Sequence, residues 1–88
     1  MDPRRLLTFR EVAHQRSFSR AGEALSLTQP AVSQQVSALE RQLGVRLLDR
    51  GPGGPTPTEA GALLLTHADA IADRLAQAAA QIGELAAA

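Results

Sequence analysis

The sequence predicts a mainly α-helical protein, a small helical head followed by one long helix that outruns it. Three observations carry that expectation. Apolar residues recur at helical spacing in successive short segments, these segments open on Asp, Ser or Thr residues able to cap a helix, and the C-terminal third carries a heptad seam. The 88 residues supply one core and too little chain for two lobes around a substrate cleft, which argues against most enzymes.

Asp2-Pro3 opens the first helix, because the aspartate can accept the free amide hydrogens of a first turn and proline fits the first helical position. Leu6, Phe9 and Ala13, flanked by Leu7 and Val12, place that helix at about Arg4 to Gln15. Ser17-Phe18-Ser19 offers cap hydroxyls for a brief second helix whose apolar face is Phe18, Ala21, Ala24 and Leu25. Ser26-Leu27 interrupts it. Thr28 then caps a third helix with Pro30 in its first turn, and Gly44 takes the left-handed conformation that ends it near Gln42.

In this third helix Val32, Val36, Leu39 and Leu43 fall within about 60° of one another and form a narrow buried stripe. Pro30, Ser33, Gln34, Ser37 and Arg41 project from the opposite side. An outward face of serine and glutamine with little charge is unusual for a helix that only meets water, where Glu and Lys dominate. It suits a surface that hydrogen-bonds something neutral and polar, such as the edges of bases.

Val45 to Asp49 reads as a short strand, and Arg50-Gly51-Pro52-Gly53-Gly54-Pro55 as a turn or loop. Thr56-Pro57-Thr58-Glu59 matches a capping box with proline at the first helical position, so a long helix follows. Its seam runs through Leu64, Ala68, Ile71, Leu75, Ala78, Ile82 and Leu85. A helix of about 30 residues extends about 45 Å, more than so small a domain can cover alone. The seam is therefore expected to meet a partner helix, with Ala68 and Ala78 permitting close approach. The plainer alternative packs the same stripe back on the first three helices.

Nine basic and nine acidic residues cancel to zero net charge, which as a bulk property points away from nucleic acid. The sum hides a division. Residues 1–50 hold eight arginines against five carboxylates and residues 51–88 one arginine against four, a +3 head and a −3 tail. Without cysteine there is no disulfide framework, no thiolate nucleophile and no cysteine-bound zinc. His14 and His67 are lone histidines far apart in the chain, so no metal or cofactor is expected. They also lack a motif-spaced acidic or nucleophilic partner, and Gly51 to Gly54 lacks the lysine of a phosphate loop, so no catalytic residue is assigned. No apolar run approaches the roughly 18 residues of a membrane span, and the N-terminus does not lead into a signal peptide; a soluble, cytoplasmic chain is expected.

Two short helices joined by a tight turn, the second presenting its N-terminal residues outward, fit a helix-turn-helix, although many helical pairs share that pattern. The wording of the sequence is far more specific. Ser17-Phe18-Ser19-Arg20-Ala21-Gly22-Glu23-Ala24-Leu25, Leu27-Thr28-Gln29-Pro30-Ala31-Val32-Ser33, Leu39-Glu40, Leu43-Gly44, Leu47-Leu48-Asp49-Arg50 and Thr58-Glu59-Ala60-Gly61 closely resemble the N-terminal DNA-binding domain of LysR-type transcriptional regulators. The match runs in order over about residues 4 to 65. The resemblance implies a winged helix-turn-helix, three helices plus a small β-wing, over residues 1–58, with the helix-turn-helix at about 18–42 and the wing at about 45–57. Residues 59–88 are then the linker helix, which pairs antiparallel with its copy.

The same resemblance implies sequence-specific binding of double-stranded DNA by a homodimer on an inverted-repeat operator, with tetramers open to the full-length parent. An effector-binding domain absent from this chain is where an inducer would bind. Carried over by position, the base-reading residues are Gln29, Pro30, Ser33 and Gln34, with Gln29 or Gln34 bidentate to adenine and Pro30 against a thymine methyl. Thr28, Ser37 and Arg41 are placed for phosphate, as are Ser17, Ser19 and Arg20 at the start of the second helix; Thr28 caps its helix as well.

The sequence departs from the family at Gln34, where arginine is common, at Gly22, where alanine is usual and where glycine is expected to weaken the second helix, and in the wing. Gly51 to Pro57 holds three prolines in place of basic residues, so the second wing strand is expected to be minimal or missing. Arg50 alone is left to touch backbone from there, and affinity should be weaker, with a flatter salt dependence, than with a basic wing. A molybdate-responsive regulator's winged helix is the related alternative, against which the Thr28 to Ser33 wording counts. A helical dimeriser that no longer binds DNA is the alternative from another class.

Overall fold

Helix boundaries are set by side chains that take up orphan amides within two or three residues. The computed structural model describes residues 1–88. In α1 (Pro3–Gln15) the Arg4 amide donates to Asp2 Oδ1 at 2.9 Å, in α2 (Phe18–Leu25) the Arg20 amide donates to Ser17 Oγ at 3.1 Å, and in α3 (Gln29–Leu43) the Ala31 amide donates to Thr28 Oγ1 at 3.2 Å. α3 ends on Gly44 at φ 69°, whereas α1 and α2 end on Arg16 and Ser26 at φ 53° and 56°. A β-carbon in that region costs about 1 kcal/mol, offset by capping bonds from the Arg16 amide to Val12 and from the Ser26 amide to Glu23.

The wing differs from the sequence expectation in three ways. β1 spans Leu48–Gly51 rather than Val45 to Asp49, and Val45 lies outside it, 43% exposed. β2 (Gly54–Pro57) is present and pairs antiparallel along its whole length, from Leu48 opposite Pro57 to Gly51 opposite Gly54. The turn accordingly shrinks to Pro52-Gly53. Prolines do not abolish β2 because Pro55 and Pro57 alternate: amides along a strand face the partner at every second residue, so both missing N–H groups fall on one edge and Gly54 and Thr56 keep theirs for the other.

The cap of α4 (Glu59–Ala87) is Thr58, not Thr56. Thr58 Oγ1 accepts from the Gly61 amide at 3.0 Å and donates to the Arg46 carbonyl at 2.7 Å. Pro57 thus lies in the strand and Glu59 in the first helical position, so the expected capping box does not form. Gly61 is required here, since a β-carbon would run into the Leu47 carbonyl oxygen and lift the root of α4 off the head.

Leu6, Phe9 and Val12 of α1, Ala21 of α2 and Val32, Val36 and Leu39 of α3 close one core with Leu47, Leu48 and Ala68. Full burial of each Phe, Leu or Val side chain stabilises by about 1.5–3 kcal/mol. The α3 stripe stops short of the expectation: Leu43, in the last turn, is 37% exposed. The α4 seam divides. Ala68 is fully buried in the chain's own core and Leu64 packs against it, so for these two the plainer alternative is correct and Ala68 is closed to a partner. Ile71, Leu75, Ala78, Ile82 and Leu85 are exposed.

Polar contacts fix the angle at which α4 leaves. Asp69 Oδ1 accepts from Arg10 Nε at 2.7 Å and lies 2.7 Å from His14 Nε2, joining α4 to α1 across 59 and 55 residues of sequence. The His14 bond, with Arg10 adding to it against a partial burial that works the other way, holds the Asp69 carboxyl below its ordinary pKa of 3.8. His14 therefore has an acidic partner that no local motif could reveal.

Candidate nucleic-acid interface

Burial of Val32, Val36 and Leu39 turns the opposite side of α3 outward. Gln29, Pro30, Gln34 and Arg41 are exposed there, and Ser33 and Ser37 are half-buried at its margins. The face is thus neutral and polar along its N-terminal half and cationic toward its C-terminal end. Thr28, also exposed, spends its hydroxyl oxygen on the α3 cap.

Arg5 joins this surface from α1. It lines a shallow groove with Gln34, Gln35 and Arg41, and its Nε stands 4.0 Å from Asp2 Oδ2. The sequence reading missed Arg5, because only the packing of α1 against α3 brings its first turn beside Gln34. Gln35 turns inward instead, accepting a 2.6 Å bond from the buried Thr8 hydroxyl.

At the start of α2 the expected phosphate contacts behave differently from one another. Arg20 is exposed. Ser17 Oγ serves the α2 cap, and Ser19 Oγ donates to Gln29 Oε1 at 3.0 Å, so Ser19 is engaged with a side chain of the outward α3 face. Arg50 comes to the same end of α2 from the wing, its guanidinium 4.6 Å above the Phe18 ring in a cation–π contact. That contact ties β1 to the start of α2.

Gly22 explains how α2 and α3 come so close. A β-carbon there would stand 2.7 Å from the Leu27 carbonyl oxygen, and the Leu27 amide donates to the Gly22 carbonyl at 2.8 Å. Beyond its cost to helix propensity, the glycine lets the inter-helix turn fold tightly against α2.

No group of three or more His, Cys, Asp or Glu side chains is gathered as a metal site, and no helix is long and apolar enough to cross a membrane. The arrangement is one of hydrogen-bond donors, acceptors and cations around an exposed helix face.

Comparison with known proteins places this geometry. The model of the bacterial regulatory helix-turn-helix protein, lysR family, matches residues 3–62. The nitrogen assimilation regulatory protein nac of Escherichia coli (strain K12) is 46% identical over 78 residues, covering 89% of this chain and 26% of that protein. Among solved structures, the BenM DNA-binding domain in complex with catB site 1 DNA superposes with a TM-score of 0.88 at 30% identity, covering 100% of this chain and 99% of that one. Full-length LysG from Corynebacterium glutamicum with bound effector Arg gives 0.87 at 37% identity, covering 100% of this chain and 30% of that one. The chain spans about a quarter of the length of most of the curated relatives it matches.

Proposed function

The chain belongs to the lysR family of bacterial regulatory helix-turn-helix proteins, and from that premise we propose that it reads double-stranded DNA with the N-terminal half of α3 in the major groove. The observation that carries this reading is the pairing of a fully buried stripe, Val32, Val36 and Leu39, with an uncharged outer face of exposed Gln29, Pro30 and Gln34 and half-buried Ser33. A helix held so firmly on one side presents its other side in fixed geometry, as base recognition requires. Gln29 or Gln34 pairs with adenine through two hydrogen bonds, and Pro30 lies against a thymine methyl. Arg5, Arg20, Arg41 and Arg50, with the hydroxyls of Ser17, Thr28 and Ser37, surround that face and hold the phosphates. The full-length match to the BenM DNA-binding domain, itself solved on DNA, supports this docking.

The reading unit is a homodimer. Ile71, Leu75, Ile82 and Leu85, 40%, 55%, 65% and 74% exposed, form the apolar stripe on which a second α4 pairs, and Ala78 lets the two backbones approach. Two-fold pairing implies an inverted-repeat operator. The functional boundary falls between residues 58 and 59, although Leu64 and Ala68 belong energetically to the head. In a parent as long as its relatives, a domain beyond α4 senses the inducer and builds any tetramer. A module that reads bacterial operators works in the cytoplasm and performs no catalysis.

Binding titrations of wild type and Gln29→Ala against a selected operator and a scrambled duplex test the reading. Loss of one bidentate base contact is worth about 1–3 kcal/mol of discrimination, so Gln29→Ala should retain binding while its preference falls by about fivefold or more. No measurable binding of wild type to either duplex would favour the helical dimeriser instead.

A further inference from the structure

We propose that Ser19 is a positioning residue for base reading, which holds the Gln29 carboxamide toward the groove, rather than a phosphate contact. The assignment rests on Gln29 reading a base. Both residues are exposed, yet their side chains are already bonded to each other across the inter-helix turn, Ser19 Oγ donating to Gln29 Oε1 at 3.0 Å. Folding of α2 does not call on that hydroxyl, since the cap is supplied by Ser17.

The backbone is built to bring the pair together. Gly22 lies three residues after Ser19, on the same face of α2; a β-carbon there would stand 2.7 Å from the Leu27 carbonyl oxygen and 3.6 Å from the Gln29 amide nitrogen, so its absence lets the turn into α3 close on the helix. The tight turn and the serine–glutamine bond are thus successive contacts along one helix face.

Glutamine is among the side chains with most rotamer freedom to lose, and ordering it at an interface opposes binding. Ser19 removes part of that freedom before DNA arrives. It also sets the sense of the amide: one Oε1 lone pair is committed to α2, while the other and both Nε2 hydrogens remain for a base, the set that adenine N6 and N7 require. A serine on phosphate would affect every sequence alike, whereas a serine acting through Gln29 affects only the base pair that Gln29 reads.

The test titrates wild type, Ser19→Ala, Ser19→Thr, Gln29→Ala and the double variant against a duplex selected from a random pool and its single-base-pair variants. Measurements run over several salt concentrations, with circular dichroism confirming an unchanged fold. Gln29→Ala identifies the base pair concerned. Ser19→Ala should lower discrimination there by about three- to tenfold and leave the slope of log K against log salt unchanged. Ser19→Thr should restore it, and the double variant should discriminate no worse than Gln29→Ala. A Ser19→Ala loss spread evenly over all duplexes with a shallower salt slope, losses that add in the double variant, or unaltered discrimination would each overturn the assignment alone. A wild-type chain with no sequence preference would overturn it together with the DNA reading.

Discussion

Every buried residue lies between Leu6 and Ala68, whereas from Asp73 to Ala88 every residue is exposed, although apolar side chains recur in both regions at helical spacing. The molecule extends 49 Å along its long axis against 24 and 21 Å across, and the 29-residue α4 runs beyond the head along it. The difference teaches that periodicity announces an apolar face without naming what covers it. Val32, Val36 and Leu39 are covered within the chain; Leu75, Ile82 and Leu85 are not.

Substitutions in the two regions should therefore have unlike consequences. Leu39→Ala empties a site that is fully buried, at a cost of about 2–5 kcal/mol, a large part of the stability of so small a domain. Thermal melting should show that loss in full. Leu75→Ala, at a site 55% exposed, should change the melting of a monomeric sample by no more than about 0.5 kcal/mol. Equal effects at the two sites would break the contrast. A small, pH-dependent effect is expected where the regions join. Asp69 is 38% exposed, so solvent screening keeps its pair with Arg10 and His14 within about 1 kcal/mol. Because the folded carboxyl titrates below 3.8, its stabilisation is whole above that pH and is lost as pH falls from 3.8 through the lowered value. Melting temperature measured from about pH 6 down to pH 2 should fall less steeply at the acid end for Asp69→Asn than for wild type; parallel curves would remove Asp69 from the joint.

What was legible in the sequence was short-range or periodic. Asp2, Ser17 and Thr28 cap as expected because a cap is a bond over two or three residues, and the α3 stripe follows from helical spacing alone. Leu43 escaped because periodicity cannot tell where the body of the head ends. β2 escaped because the objection to proline in strands ignores which edge the prolines occupy. Thr58 displaced Thr56 as the cap once Pro57 was held in the ladder. At the candidate interface the exposed face of α3 was legible, but Arg5 beside Gln34, Arg50 on Phe18 and Ser19 on Gln29 were not. Each joins residues from different elements, and only the folded chain brings them together.

In the proposed function the head reads and the tail doubles the reading. Selection from a random duplex pool tests it most directly, run side by side with wild type and with the Leu75→Asp, Ile82→Asp double variant. Wild type should enrich an inverted repeat of two half-sites at a fixed spacing, and the variant should enrich the same half-site unpaired, with affinity for the full repeat lower by about 100-fold or more. Single half-sites enriched by wild type, or a paired site enriched equally by the variant, would contradict it.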